Sequence, residues 1–438
     1  MTGKRLIGGI AAAAAATAVL LGGALSGSPF AGSASEPAPD VAAGRLLEGF
    51  SPGDTAAYVA QLEARAAADE EDGQTLTLLG LAYQQRARET GDPGFYPRAE
   101  RALRRALQLE DGNALATTGL AALAASRHRF SEARALAERS IRLNPHSAPA
   151  YGILGDALSE LGRHDEAFGA FERMVALKPG LAAYSRVSYA RELLGKPREA
   201  TAAMRLAVRA GSANVENAAW TLVQLGHLYF DRGRLGRAER AYREALFRFP
   251  GYVHAEAALA RAESARGKVG HAVELYRSAL GKVPLPHYAV GLGDTLQSAG
   301  RPAEARKAYA LVDVIQRLFE GSGVRTDLET ALFDLDHDRD VADALARARE
   351  AFKRAPGINA EDVLAWALYK NGRCREARRH SVAALRLGTR DALKLFHRGM
   401  IELCLGEADT GRSFLRRALS VNPYFSLLYG PVAKEALR

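Results

Sequence analysis

The chain has 438 residues, 48% of them hydrophobic and only 7% aromatic, so it can bury a core and is not a disordered polymer. Two cysteines, Cys374 and Cys404, exclude a disulfide framework or a structural zinc site. The net charge of +9 is lopsided: residues 339–438 hold 19 basic and 11 acidic side chains, leaving the rest nearly neutral. This asymmetry points to an anionic partner or surface.

In chain order, Lys4 and Arg5 precede an uncharged run of 20 residues from Leu6 to Leu25, followed by SGSPFAGSASEPAPD. A basic start, an apolar run and a small-residue exit make an export signal, with a cleavage point after Ala34. The run is also long enough to serve as an uncleaved anchor. Either way, residues 1–34 predict that the remainder lies outside the cytoplasm, in the cell envelope, secreted or membrane-anchored. The composition, rich in Ala and Gly with Arg over Lys, fits a GC-rich bacterial genome. Residues 35–73 are expected to be a linker and a leading helix, starting near residue 40, that caps the helices after it.

From about residue 74 the chain repeats itself. The segment LVQLGHLYFDRGRLGRAERAYREALFRFP carries Leu225-Gly226, Tyr229, Ala238, Tyr242, Ala245 and Pro250. A small residue opens the second half of each unit at Ala99, Ala133, Ala167, Ala200, Ala238, Ala272, Ala305, Ala344, Ala377 and Gly411. The steps are 33 or 34 residues except for two of 38 and 39. GSANVEN at 211–217 pads one long step; a lengthened helix through Phe319 and GSG at 321–323 pads the other. RETGDPGFYPR, 88–98, is expected to add a loop to the first unit. Proline, which cannot continue a helix, closes units at Pro145, Pro179, Pro250, Pro284, Pro356 and Pro423. Ala, Leu, Arg and Glu favour helix throughout. Ten units of two amphipathic helices therefore occupy 74–423, and 424–438 is expected to cap the last one.

These residues resemble the tetratricopeptide repeat. The resemblance implies an all-α fold, a right-handed superhelical solenoid of stacked helix-turn-helix repeats, with the first helices lining a concave groove. Carried over unit by unit, that lining includes Asp156, Tyr189, Trp220, His227, Phe230, Arg261, Asp294, Phe333, Trp366, Tyr369, Phe396 and Met400. Of these, Tyr189, Trp220, His227, Phe230, Arg261, Asp294, Trp366, Tyr369 and Phe396 are the candidate partner-binding residues, because Trp and Tyr suit interaction surfaces. The Lys and Asn clamp of chaperone-tail binders is not matched by Val223 with His227 or by Asp362 with Trp366.

No phosphate loop, nucleophile elbow or metal-binding signature occurs in the sequence. Neither enzymatic activity nor a cofactor or bound metal is expected. DLDHDRD, 334–340, has the alternating acids of a calcium loop but lacks its glycine and closing glutamate, so it reads as a polar turn. Outside the cytoplasm Cys374 and Cys404 could pair; the favoured expectation is that they are free and buried, since stacked helices lie about 10 Å apart and a disulfide needs closer Cα atoms. The expected function is an exported scaffold gripping a protein or peptide in its groove, not nucleic acid. The alternative is an envelope assembly factor docking on anionic lipid or wall polymer through its basic C-terminal quarter.

Overall fold

The computed structural model describes residues 54–211 and 215–438. Residues 1–34, the expected signal, the early part of the expected cap and part of the 211–217 joint lie outside the described residues. Among the described residues there are 22 helices and no strands, and no helix is long and apolar enough to cross a membrane.

A leading helix, α1 (Asp54–Ala68), precedes ten helical hairpins. These pair α2 (Gly73–Thr90) with α3 (Phe95–Leu109), α4 (Ala114–Ser126) with α5 (Phe130–Leu143), and α6 (Ala148–Glu160) with α7 (His164–Leu177). Next come α8 (Leu181–Leu193) with α9 (Pro197–Ala210), α10 (Val215–Phe230) with α11 (Leu235–Arg248), and α12 (Val253–Ala265) with α13 (Val269–Lys282). The last four are α14 (Pro286–Ser298) with α15 (Pro302–Gly321), α16 (Asp327–Asp336) with α17 (Val341–Arg354), α18 (Ile358–Lys370) with α19 (Cys374–Ala384), and α20 (Ala392–Cys404) with α21 (Ala408–Val421). A short α22 (Tyr429–Glu435) packs on the last unit. The expected loop at 88–98 is mostly helix: α2 runs to Thr90 and α3 starts at Phe95.

The small-residue ladder packs as its spacing requires. Ala99, Ala133, Ala167, Ala200, Ala238, Ala272, Ala305, Ala344 and Ala377 are all 0% exposed. Across each hairpin a small residue faces a large one. A Cβ on Gly226 would sit 2.2 Å from the Tyr242 ring, so only glycine lets that ring lie flat on α10. The first helix of each unit is buried nearly all round, as in α18 from Ile358 to Leu368. The second buries one stripe, as in α13 with Ala272, Val273, Tyr276 and Ala279. The first helices therefore form the inner layer and the second helices the outer, amphipathic one.

Every within-unit turn contains a left-handed residue: Gly91, His128, Gly162, Gly195, Gly233, Gly267, Gly300, Asp338, Gly372 and Gly406. The ten turns divide into two halves. A Cβ on Gly91 would meet Val283, on Gly162 Pro356, on Gly195 Gly388 and on Gly233 Pro423. On Gly267, Gly300, Gly372 or Gly406 it would meet nothing within 4 Å. In the second unit, Arg325 donates its backbone N–H to the Arg127 carbonyl at 3.2 Å, and His128 Nδ1 lies 2.7 Å from the Arg325 carbonyl oxygen. The turn of unit n thus touches the loop that follows unit n+5, for all of the first five units. The superhelix closes on itself along a seam of loops, and the inner helices enclose a lumen rather than an open groove. The lengthened α15 and its GSG end supply one of these seam contacts, since Arg129 also reaches the Gly323 carbonyl at 3.4 Å.

Cys374 and Cys404 are disulfide-bonded, with Cα atoms 6.2 Å apart, which corrects the expectation that they are free. Neighbouring helices are antiparallel, so the first residue of α19 meets the last residue of α20. Axis spacing is the wrong measure for two side chains that face each other at adjoining helix ends.

Candidate functional site

Two adjoining cavities lie inside the lumen. The larger, about 310 Å³, is walled by α10, α12 and α14 and closed by loop residues Val324, Thr326 and Tyr424 to Leu427. The smaller, about 130 Å³, is walled by α8, α10, α18 and α20. They share Gln224, His227, Arg261 and Phe425. One repeat step carries a side chain from one inner helix to the equivalent place on the next. Trp220, His254 and Tyr288 follow at that interval, as do His227 and Arg261, and all five line the larger cavity.

The larger cavity is apolar and aromatic. Three of its histidines, His227, His254 and His287, are held in the neutral form. Burial, aided by the Arg261 charge, holds His227 down to about 3; burial holds His254 at about 4 and, with His254 beside it, His287 at about 3. His227 Nδ1 lies 3.0 Å from the Tyr242 hydroxyl and His254 Nδ1 2.6 Å from that of Tyr288. Trp220 is 6% exposed, and its indole N–H has no hydrogen-bond partner among the described residues.

The smaller cavity is charged. Asp391 caps α20, accepting from the N–H groups of Leu393 and Lys394 at 2.8 and 3.0 Å and from the Lys394 ammonium at 3.2 Å. Against the desolvation that would raise it, the Lys394 charge and these bonds hold its carboxyl below the usual range. Burial, together with Asp231 and Asp391, pushes the Glu192 carboxyl up to about 8. Arg261 lies over the Phe230 ring, 3.9 Å from its centroid, with Asp231 3.7 Å from its guanidinium.

Six of the nine candidate residues meet at these cavities: Tyr189 in the smaller, Trp220, Phe230 and Asp294 in the larger, and His227 and Arg261 in both. Asp294 accepts from the Tyr309 hydroxyl at 3.0 Å, and burial raises its carboxyl above the usual range. The other three gather elsewhere. Trp366 is 1% exposed and Phe396 0%. Trp366 donates to Asp336 at 3.0 Å and stacks on Tyr369 and His397, while Phe396 stacks on Tyr429 of the cap. Trp366 and Phe396 thus pack in the core and line neither cavity; half-buried Tyr369 packs against this group. Asp156, 1% exposed, is held by three hydrogen bonds from Arg186 on the next inner helix. Phe333 is also buried, against His337, and half-buried Met400 packs against the core. The acids of 334–340 serve the fold: Asp334 pairs with Arg347, Asp336 accepts from Trp366 and Tyr429, and Asp338 pairs with Lys370. His254, His287, Arg232 and Glu192 were not among the candidates. His254 stands 34 positions after Trp220, and that interval was the available signal.

Helical hairpins of one size, stacked in register with a small-residue ladder between their helices, define an α-helical repeat solenoid. The sequence profile of the tetratricopeptide repeat matches residues 85–148, 118–182, 223–285 and 258–313, and the chain is a tetratricopeptide-repeat protein. It is 32% identical over 139 residues to anaphase-promoting complex subunit 7 of Arabidopsis thaliana, a match covering 32% of this chain and 24% of that protein. The chain thus spans about a quarter of that relative's length. Among solved structures it is similar to a tetratricopeptide repeat protein from Parabacteroides merdae, at 18% identity over 59% of this chain and 97% of that one, with a TM-score of 0.35. It is also similar to the human IFIT1 dimer with PPP-AAAA, at 14% identity over 84% and 95% of the chains, with a TM-score of 0.43. Arrays of this repeat are protein-interaction scaffolds, and this chain is built as one.

Proposed function

We propose that the protein is an exported, non-enzymatic scaffold that takes a peptide segment of a partner protein into its lumen, against Tyr189, Trp220, His227, Phe230, Arg261 and Asp294. The observation that carries this reading is the convergence of these six inner-helix side chains on two adjoining cavities. Because the seam encloses the lumen, the occupant is a chain end or an extended segment, not a folded surface. Export is supported by the basic and apolar start of the sequence, and a disulfide suits an oxidising compartment. A photo-crosslinking residue at Tyr189 should capture a partner from the envelope fraction. The same residue at Phe247, 86% exposed on an outer helix, should not. Capture from Phe247 alone would refute a lumenal partner.

A second reading has its own support. Arg375, Arg378 and Arg379 on α19 and Arg412, Arg416 and Arg417 on α21 are all exposed on the outer layer. That basic face suits an anionic lipid or wall polymer. Salt-sensitive sedimentation with anionic vesicles, lost on charge reversal at Arg375, Arg378 and Arg379, would favour it over the lumenal reading.

A further inference from the structure

The charges around the smaller cavity do not balance. Three arginines line it, Arg232 and Arg261 half-buried and Arg390 exposed to solvent, and none of their side chains donates a hydrogen bond among the described residues. Of the three carboxyl groups, Asp391 is already taken by Lys394 and the α20 N-terminus. Asp231 stands 3.7 Å from the Arg261 guanidinium, beyond hydrogen-bonding distance. Glu192 is held largely protonated at neutral pH by burial and its carboxylate neighbours. The donors of half-buried Arg232 and Arg261 therefore outnumber the available acceptors, and an arginine fork pairs best with a planar carboxylate through two parallel bonds.

Of the four residues that both cavities share, Arg261 is the charged one, and Phe230 holds it in place from one face. Beside it the larger cavity offers aromatic walls and neutral imidazoles. Its 310 Å³ falls at the lower edge of the roughly 300–1,000 Å³ of small-ligand pockets. Trp220, buried on that wall, has an N–H with no acceptor among the described residues.

We propose that the lumen binds a small amphipathic carboxylic acid, its apolar body against the aromatic wall of α10, α12 and α14 and its carboxylate on the guanidinium of Arg261. This goes beyond the peptide-scaffold reading: the ligand is a small molecule, and its binding needs no protein partner.

Titration calorimetry on the full chain with 4-phenylbutyrate, 4-phenylbutan-1-ol and 4-phenylbutylamine separates the parts of the site. The three share one apolar body and differ in charge. The acid should bind at least about tenfold more tightly than the alcohol, as a charge-assisted pair requires, and the amine most weakly. Arg261→Gln should erase the preference for acid over alcohol while retaining alcohol binding. Arg261→Lys, which keeps the charge but loses the fork, should restore part of it. Ala265→Trp, which fills the half-buried wall of the larger cavity, should abolish binding of all three. Melting temperatures of each variant distinguish lost binding from lost folding. Equal affinity for acid and alcohol, or a preference for the amine, would overturn the carboxylate assignment. Absence of binding by all three, or binding that survives Ala265→Trp, would overturn the site. Neither result bears on partner crosslinking from Tyr189, so the two readings fail separately.

Discussion

The seam can be weighed by placing one methyl group at two equivalent turns. Gly195 and Gly300 both sit in the left-handed region, at φ of 65° and 74°, and both join the two helices of a unit. Alanine at either place incurs the same backbone cost, about 1–2 kcal/mol. They differ in surroundings: a Cβ at Gly195 would lie 2.0 Å from the Gly388 carbonyl oxygen, whereas at Gly300 it meets nothing within 4 Å. The obstacle at Gly195 is backbone, so it cannot rotate away, and the two loops must part. Overpacking of this kind costs about 1–3 kcal/mol, with the seam's own local stability as its ceiling, because the seam can open to relieve it. Gly195→Ala should therefore cost about 1–3 kcal/mol more than Gly300→Ala. Repeat arrays need not unfold in one step, so denaturant melts should be read together with hydrogen exchange. Gly195→Ala should speed exchange around residues 386–391, almost 200 positions away in sequence, and Gly300→Ala should not. Equal melts with equal exchange would refute the contact between unit n and unit n+5.

Other consequences stem from burial. Trp366→Ala should destabilise by about 3–5 kcal/mol, visible as an earlier melt of the C-terminal units; a melt matching the parent would return Trp366 to the partner-facing surface. Asp156→Ala leaves the Arg186 guanidinium buried without its carboxylate and should cost about 3–5 kcal/mol in denaturant titration; a loss under about 1 kcal/mol would show that the pair is solvated. The folded chain holds the Glu192 proton up to about pH 8, whereas the unfolded chain releases it near the ordinary 4.5. Its contribution is thus fully present below about pH 4.5 and falls as pH rises towards 8. Glu192→Gln should flatten the loss of melting temperature between about pH 7 and 8.5, where His227, His254 and His287 are neutral both folded and, for the most part, unfolded. An unchanged slope would mean that Glu192 is ionised in the folded protein.

Much of the architecture was legible because repetition amplifies a weak signal. One alanine says little, but small residues recurring from Ala99 to Gly411 mark each outer helix against its inner partner, and the hairpins emerge from that ladder. Six cavity residues were legible for the same reason: an inner-helix position recurs at the repeat interval, so His227 leads to Arg261. The seam was not legible. Its contacts run between loop backbones and turn glycines, as at Gly195 and Gly388, and a glycine required by a turn looks the same with or without a neighbour. That Trp366 lies away from the cavities was not legible, because its spacing does not show that Asp336, His397 and Tyr429 surround its indole. The disulfide was disfavoured because the spacing of Cys374 and Cys404 says which helices they occupy but not that their side chains face each other.

The closed superhelix is tested most directly by a distance across the seam. Spin labels at Lys196 and Arg386, exposed positions on either side of the Gly195–Gly388 contact, can be measured by pulsed dipolar spectroscopy in the full chain. A closed superhelix should give a single short and narrow distance, as expected for labels on touching loops. A broad distribution at long separations would mean that the turns stand apart, and with them would go the enclosed lumen and the two cavities inside it.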